Sequence, residues 1–426
     1  MNRREFLVGA GSLAVASTVR LKADATLVTQ AARPGMLPAS IRNDFPAVLK
    51  ETYLNSASMH PVGTFAADAA KKLIDFRMLG PGNGADFNAQ AQQDLKAKFG
   101  ALINAKASEI AYTGNTTDGE NIVVLGLLGA GAPGATGAPK GAPLHGINVV
   151  LDELHFTSSL YMYKELEKKG VELRIVKHKN WAIDPEDMAK AIDRNTKLVS
   201  MALVSNVNGF MHDAKAVSAI AHARGAHVFA DIIQAAGCVP VDVKALGIDF
   251  AACGTYKWLM GERGLGFLYV REDLQDTVLP TTRYGHRQVY DFNRAEMTWK
   301  PLPGAARYET GGIPVMMAAM VNAGIDYVGK IGVSNIRAHA KQLTDRLQKE
   351  LPPLGYKALT PLTTETPIVA FEVKDAAATT RLLQASRVAA TVIGNENRIR
   401  LSVSVFNNHE DIDRVVDVLA GKKSSL

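Results

Sequence analysis

The sequence predicts an α/β fold in which helices cover a mainly parallel sheet. Amphipathic helical patterns, for example at 184–193 and 214–225, alternate with apolar strand-like runs at 147–153, 171–176, 197–204, 226–231, 249–254 and 264–270. With 426 residues, of which 47% are hydrophobic and 21% charged, the chain can bury a large core. Ligand-binding loops are expected at the carboxyl ends of such strands.

The pattern changes after about residue 315. A long helical region is followed there by short strands and a closing helix near 410–421. This predicts a smaller α+β domain at 316–426, preceded by a large domain at 65–315 and an N-terminal arm at 26–64.

The first residues are predicted to be an export signal and not part of the fold. Arg3 and Arg4 precede an apolar stretch that ends at Ala16, and Ala23-Asp24-Ala25 provides small residues for a signal peptidase. We interpret residues 1–25 as a twin-arginine signal that engages the twin-arginine export machinery and directs the folded protein to the periplasm.

Two other interpretations of this segment are open. Residues 9–16 imitate a dinucleotide-binding glycine motif, but no strand precedes them. A membrane-retained signal anchor is the stronger alternative, although the apolar core is short for a spanning helix. No later segment is long and apolar enough to cross a bilayer, so we expect no stable membrane insertion.

Charge and cysteine content exclude few functions. The predicted signal carries four basic and two acidic residues, so the rest of the chain carries +4 of the net +6. The basic residues are scattered among acids, which gives no support for nucleic acid binding. Cys238 and Cys253 lie beside core strands and are expected to be buried thiols and not a disulfide bridge.

Residues 129–145, rich in Gly, Ala and Pro, are predicted to form a flexible surface loop.

Two strand ends carry the most informative residues. HVFAD (227–231) is a short apolar strand that ends in the carboxylate of Asp231, and DFAACGTYK (249–257) leads to the amine of Lys257. A lysine amine can form a Schiff base with the aldehyde of pyridoxal 5'-phosphate, and a carboxylate can pair with the protonated ring nitrogen. Taken separately, either residue could be an ordinary strand-end residue of an α/β protein.

The stretch at 230–270 resembles the lysine region of class V aminotransferase-fold proteins, which include cysteine desulfurases, kynureninases and isopenicillin N epimerases. The resemblance covers nearly the whole chain after residue 40. Its other motifs are YLNSA (53–57), GNTTDGEN (114–121), SNVNG (205–209), RYETGG (307–312) and RLSVSVFNNHEDID (400–413). It implies a fold type I enzyme with a mainly parallel seven-stranded sheet in the large domain, and a homodimer with shared active sites.

The resemblance also implies roles for individual residues. The expected cofactor ligands are Thr116, Thr117, His155, Asn206, Asp231, Gln234, Tyr256, Lys257 and Gly312. Thr116 and Thr117 lie where a short strand, 109–113, turns into a helix whose free amides suit a phosphate, although either threonine could be only a helix cap. His155 would stack on the cofactor ring and move protons, and a merely packed histidine is the alternative. Lys257, His155 and Asp231 are the expected catalytic residues. No metal site is predicted.

Substrate contacts are expected from Arg400 and Asn55. In a strand at 398–405, Arg398, Arg400, Ser402 and Ser404 share one face, and Arg400 could hold a substrate carboxylate in a two-pronged pair. A solvated strand face is the alternative without the family resemblance.

Two positions depart from the desulfurase pattern. Tyr256 replaces a histidine before the lysine, as in kynureninase, and Gly312 lacks a hydroxyl that reaches the partner subunit's phosphate in the family. Residues 386–398 contain no cysteine, which argues against persulfide relay.

The expected activity is therefore chemistry at the α-carbon of an amino acid or peptide-like substrate, of the aminotransferase, epimerase, lyase or decarboxylating type. Periplasmic proteins that resemble this chain include enzymes that tailor the glutamate of pyoverdine-type siderophores, which is one candidate activity. A non-catalytic ligand-binding protein of the same fold is the alternative of another class.

Overall fold

A computed structural model describes residues 35–80, 85–129, 146–275, 277–286 and 288–422, with backbone only for 85–93. The predicted signal at 1–25, and all but the first residue of the Gly/Ala/Pro-rich stretch at 129–145, lie outside the described residues.

Ten α-helices and fourteen strands build the described part of the chain, together with short 3-10 helices. The helices are α1 (Thr64–Leu79), α2 (Ala85–Leu102), α3 (Thr116–Leu128), α4 (Thr157–Leu166), α5 (Pro185–Ala191), α6 (Ala214–Ala223), α7 (Val315–Ile331), α8 (Val333–Glu350), α9 (Ala376–Ala385) and α10 (His409–Leu419). The strands are β1 (Thr52–Tyr53), β2 (Ile110–Thr113), β3 (Asn148–Asp152), β4 (Glu172–Val176), β5 (Thr196–Ala202), β6 (His227–Asp231), β7 (Phe250–Gly254), β8 (Gly266–Val270), β9 (Val289–Asn293), β10 (Thr298–Pro301), β11 (Ile368–Glu372), β12 (Val388–Ala389), β13 (Thr391–Ile393) and β14 (Arg398–Ser402).

The central sheet has seven strands in the order β2-β8-β7-β6-β5-β3-β4. Strand β8 runs antiparallel to both of its neighbours, and the other pairs are parallel. Because helices α3 and α4 cover one face and α5 and α6 the other, strands β3, β7 and β8 are buried on both faces, and β7 and β8 consist almost wholly of apolar residues and glycine. The predicted fold type I architecture is confirmed.

The C-terminal region contains a smaller antiparallel sheet in the order β11-β14-β13. Ile399 and Leu401 of β14 pack with helices α8 and α10 in a core of their own. The N-terminal arm is bound to this region, since β1 pairs in parallel with β12 and Asn55 bridges to Ser402. The domain boundaries at residues 65 and 315 remain predictions.

One expectation about β14 needs correction. The alternating pattern predicted a strand to residue 405, but β14 ends at Ser402. Ser404 lies beyond the strand, where its hydroxyl bonds to His60 Nε2 at 2.8 Å and its amide donates to Asn407 Oδ1 at 2.8 Å. These local bonds to side chains end the strand pairing.

Three further features bear on the predictions. Cys238 and Cys253 are both buried and free, as expected. Within the described ranges, no helix has the length and apolar character needed to span a membrane. The same residues contain no group of histidine, cysteine and carboxylate side chains arranged to hold a metal ion.

Candidate active site

A cavity of about 870 Å³ lies at the carboxyl ends of the parallel strands. The start of α3, the start of α4, and the segments that follow β5, β6 and β7 form its walls. Its lining includes seven residues predicted for the site: Thr116, Thr117, Asn206, Asp231, Gln234, Tyr256 and Lys257. The structure thus brings together residues that are up to 141 positions apart in the sequence.

Asp231 and Lys257 form the floor of the cavity. Asp231 is the last residue of β6, and Lys257 follows the end of the neighbouring strand β7 by three residues. Both are almost fully buried. Burial lowers the pKa of Lys257 to about 8, against the opposing attraction of Asp231. Burial also raises the pKa of Asp231 to about 6, against a hydrogen bond from the Ile233 amide at 2.9 Å.

These shifts have a chemical consequence. A lysine with a lowered pKa has a larger neutral fraction near pH 7, and the neutral amine is the nucleophile that attacks an aldehyde. The nearby carboxylate is suited to pair with a protonated ring nitrogen. The pair therefore fits the roles that the sequence predicted for it.

The start of α3 faces the same cavity. The side chain of Asn115 accepts a hydrogen bond from the Asp118 amide at 2.9 Å, so Asn115 is the cap. The interpretation of Thr116 or Thr117 as the helix cap is therefore wrong. Thr116 Oγ1 accepts from the Gly254 amide at 2.8 Å, which fixes the helix start to the end of β7. The backbone amides of Thr116 and Thr117 precede the first bonded amides of the helix, and such a helix start is suited to bind an anion.

One acid lies beside this anion site. The carboxylate of Asp118 accepts from the Gly114 amide at 3.0 Å and forms an ion pair with Arg283. Arg283 therefore offsets the charge that would otherwise repel a phosphate.

Two amide side chains complete the inner wall. Gln234 donates to Ala57 O and accepts from Trp258 Nε1, both at 2.9 Å, so its amide is held in place, and its second N–H has no acceptor among the described residues. Asn206 Oδ1 is buried and has no hydrogen-bond partner in the part of the chain that the structure describes. An unpartnered acceptor of this kind indicates a place for a ligand donor.

His155 does not lie where the sequence predicted. Its imidazole is 1% exposed and lies outside the cavity lining. Nδ1 accepts from the Phe156 amide at 2.7 Å and Nε2 lies 3.0 Å from Ser200 Oγ. Burial lowers the pKa of His155 to about 4, so the ring is neutral near pH 7. This imidazole is not placed to stack on the cofactor, because its hydrogen bonds turn it towards the core.

Phe156 takes the exposed position instead. This residue directly precedes α4, and its ring lines the cavity. Sequence reasoning also missed Ser158, Tyr161 and Arg263, which line the cavity. The motif that carries His155 indicated the correct loop, but the choice between adjacent side chains depends on how α4 begins.

Arg400 lies just behind the cavity wall. Its Nη1 donates to Asn206 O at 2.7 Å, and its Nη2 donates to Ser58 Oγ at 2.6 Å and to Thr391 Oγ1 at 3.2 Å. Burial and the neighbouring Arg398 lower the pKa of Arg400 to about 10. Asn55 reaches the same group through its Oδ1, which accepts from Thr391 Oγ1 at 2.6 Å.

Gly312 lies away from the cavity. It is exposed, and no atom would crowd a side chain at this position. Its predicted link to a phosphate in the partner subunit stays a prediction.

Comparison with known proteins identifies the family. Residues 83–415 match the family model for aminotransferase class V. The chain belongs to the class V aminotransferase family. A probable cysteine desulfurase from Methanothermobacter thermautotrophicus is 30% identical over 317 residues, which are 73% of this chain and 75% of that protein. A kynureninase from Pseudomonas fluorescens is 30% identical over 320 residues, or 72% of each chain.

Solved structures show the same fold. The apo structure of a cysteine desulfurase from Thermococcus onnurineus matches with a TM-score of 0.79 and 24% identity over 92% of this chain and 99% of that one. As a class V family protein, this chain is an enzyme that depends on pyridoxal phosphate.

The residues of the cavity fit this cofactor. A nucleophilic amine, a facing carboxylate, a helix start for the phosphate and the unpartnered Asn206 oxygen all face one space. When bound, pyridoxal phosphate supplies an electron sink for charge at the substrate α-carbon. The protein's own part is to hold Lys257 and Asp231 away from water, which enlarges the neutral fraction of the lysine and keeps the carboxylate available to the ring nitrogen.

Proposed function

We propose that this enzyme breaks a bond at the α-carbon of an amino acid or amino-acid unit, with Lys257 as the residue that links to the cofactor. The observation that carries this proposal is the placement of Lys257 and Asp231 in one buried cavity, with their pKa values displaced towards each other. Groups tuned in this way are typical of catalytic sites.

The cysteines favour chemistry other than persulfide relay. The chain has two cysteines, both buried and both outside the cavity lining. Burial raises the pKa of Cys253 and of Cys238 well above the ordinary value, so neither is a ready thiolate. We therefore expect an aminotransferase, epimerase, lyase or decarboxylating reaction that needs no protein thiol.

Arg400 and Asn55 are proposed to bind the substrate. The guanidinium of Arg400 has only neutral oxygens as hydrogen-bond partners, and its Nε has none among the described residues. A substrate carboxylate would supply the missing charge and a two-pronged pair. The exposed Gly312 is consistent with a homodimer in which a second subunit completes the phosphate site.

Export through the twin-arginine route is part of the proposal. That route carries folded proteins, which suits an enzyme that binds a cytoplasmic cofactor before it leaves. Replacement of both Arg3 and Arg4 by Lys should leave folded, unprocessed protein in the cytoplasm. Unchanged periplasmic yield in cell fractions would refute this route.

A substrate panel tests the reaction. Purified protein loaded with pyridoxal phosphate is incubated with free amino acids, peptides and a pyoverdine-type siderophore that carries glutamate, and products are identified by mass spectrometry. Turnover of at least one α-amino acid unit, without a persulfide on either cysteine, supports the proposal. Transfer of sulfur from free cysteine to a protein thiol would identify a desulfurase and contradict it.

A further inference from the structure

A buried glutamate lies directly beneath the cavity. Glu120 is on α3 one turn after Thr116, so the two side chains share a helix face, and only Thr116 lines the cavity. Glu120 is 1% exposed. Its Oε2 accepts from Ser159 Oγ at 2.6 Å and its Oε1 from Ser200 Oγ at 3.1 Å.

The hydrogen bonds around Glu120 have a fixed direction. The Phe156 amide donates to Nδ1 of His155, so the proton of this neutral imidazole lies on Nε2. Nε2 then donates to Ser200, and Ser200 donates to Glu120. The chain of donors ends at the carboxylate, which is where a negative charge is best stabilised.

No cation in the described part of the chain balances Glu120. His155 Nε2 lies 3.9 Å away and belongs to a neutral ring. Burial raises the pKa of Glu120 to about 7, although hydrogen bonds from Ser159 and Ser200 oppose this change. Glu120 can therefore gain or lose a proton near neutral pH.

Strand register connects Glu120 to the cavity floor. In the pairing of β5 with β6, Ser200 lies opposite Phe229, and Ala202 lies opposite Asp231. Alternate residues of a strand share a face, so Ser200 and the cavity-lining Ala202 point to the same side. Glu120 thus lies one layer below Asp231, whose charge raises the pKa of Glu120. Repulsion between two like charges is mutual, so a charged Glu120 acts on Asp231 in return.

We propose that Glu120 is a positioning residue whose negative charge, from beneath the floor, adds to that of Asp231 and so favours the protonated form of the lysine-linked cofactor. The inference rests on the proposed roles of Asp231 and Lys257. Five titratable side chains face the two carboxylates: Lys257, Cys253 and Tyr256 at Asp231, and Tyr163 and His155 at Glu120. Arg400 and Asp152 act one step further out, on Lys257 and on His155.

The test is a pH titration of the absorbance of the protein loaded with pyridoxal phosphate. Glu120→Gln keeps the size of the side chain but removes its charge. It should lower the midpoint at which the band of the protonated, lysine-linked cofactor disappears by about 0.5 to 1 pH unit, the effect expected for a lost negative charge at this depth. Glu109→Gln is the matched control, since Glu109 is also a buried glutamate but lies outside the cavity lining and accepts from the backbone amides of Lys106 and Glu272.

Ser159→Ala provides a second variant if Glu120→Gln does not fold. Loss of its hydrogen bond raises the proton affinity of Glu120, so the midpoint should fall in the same direction by a smaller amount. An unshifted midpoint in a folded, coloured variant overturns the inference and leaves the proposed function intact. A wild type without a lysine-linked band overturns the proposed function itself, and this inference with it.

Discussion

Lys257 and Arg400 are both buried cationic residues near the cavity, but their electrostatic surroundings are opposite. Lys257 faces the carboxylate of Asp231, whose charge opposes the effect of burial on the lysine. Arg400 faces neutral oxygens and a second guanidinium, that of Arg398. The first region is balanced by the protein alone, whereas the second has excess positive charge. A region balanced in this way suits a resident cofactor, and one with unbalanced positive charge suits a substrate anion.

The largest effect is expected when the charge pair of Asp231 and Lys257 is removed. Asp231→Ala should weaken binding of pyridoxal phosphate by on the order of a hundredfold or more, because removal of one partner of a buried charge pair costs about 3 to 5 kcal/mol. Equilibrium dialysis measures the affinity, and turnover should be nearly lost.

Asp249→Asn is the control for this loss. Asp249 is also buried and bonds to His222 and Arg271, away from the cavity. Its variant should lose stability but keep cofactor affinity. Near-normal activity of Asp231→Ala would show that another acid pairs with the cofactor.

The second-largest effect is expected around Arg400, where positive charge is in excess. Arg400→Ala should leave the cofactor spectrum intact and lower kcat/KM roughly ten- to a hundredfold, as expected from the loss of a charge-assisted bond of about 1.5 to 3 kcal/mol. Arg400→Lys should restore only part of the loss, since an ammonium lacks the planar fork. Steady-state kinetics on the substrate found in the panel would measure both.

Arg398→Ala is the comparison variant for this prediction. Arg398 is buried on the same strand face but pairs with Glu396 at 2.7 Å. If Arg400→Ala instead bleached the cofactor while substrate affinity stayed normal, Arg400 would have a structural role.

Much of this comparison could be predicted from the sequence. Asp231 and Lys257 follow apolar runs that predict strands. Because adjacent parallel strands end at the same edge of a sheet, the sequence pattern predicts that these two residues lie close together. The position of His155 could not be predicted in this way. Whether His155 or Phe156 faces the cavity depends on hydrogen bonds to Ser200 and to the backbone, which join strands and loops that lie far apart in sequence.

Glu120 illustrates the same limit. In the sequence it is one acid in the polar turn of a helix start, as Asp118 is. The helix rotation that buries Glu120 against Ser159 and leaves Asp118 paired with Arg283 arises only when α3 packs on the sheet.

A smaller effect should appear in the stability of the protein without cofactor. The pKa of Glu120 is raised from 4.5 to about 7 on folding, so the stability linked to it is full below pH 4.5 and is lost as pH rises through 7. The free energy of unfolding of the wild type, relative to that of Glu120→Gln, should therefore fall by about 1 to 3 kcal/mol over this range. Urea titrations at several pH values measure the difference. A constant difference would mean that Glu120 does not change its charge there.

The central claim is that Lys257 carries the cofactor, and borohydride reduction followed by peptide mass mapping tests it most directly. Wild-type protein with pyridoxal phosphate should absorb at about 400 to 430 nm before reduction. Afterwards the cofactor should be attached to the peptide that contains Lys257, and Lys257→Ala should carry no such label. A label on another lysine, or a wild type that stays colourless with added cofactor, would contradict the account.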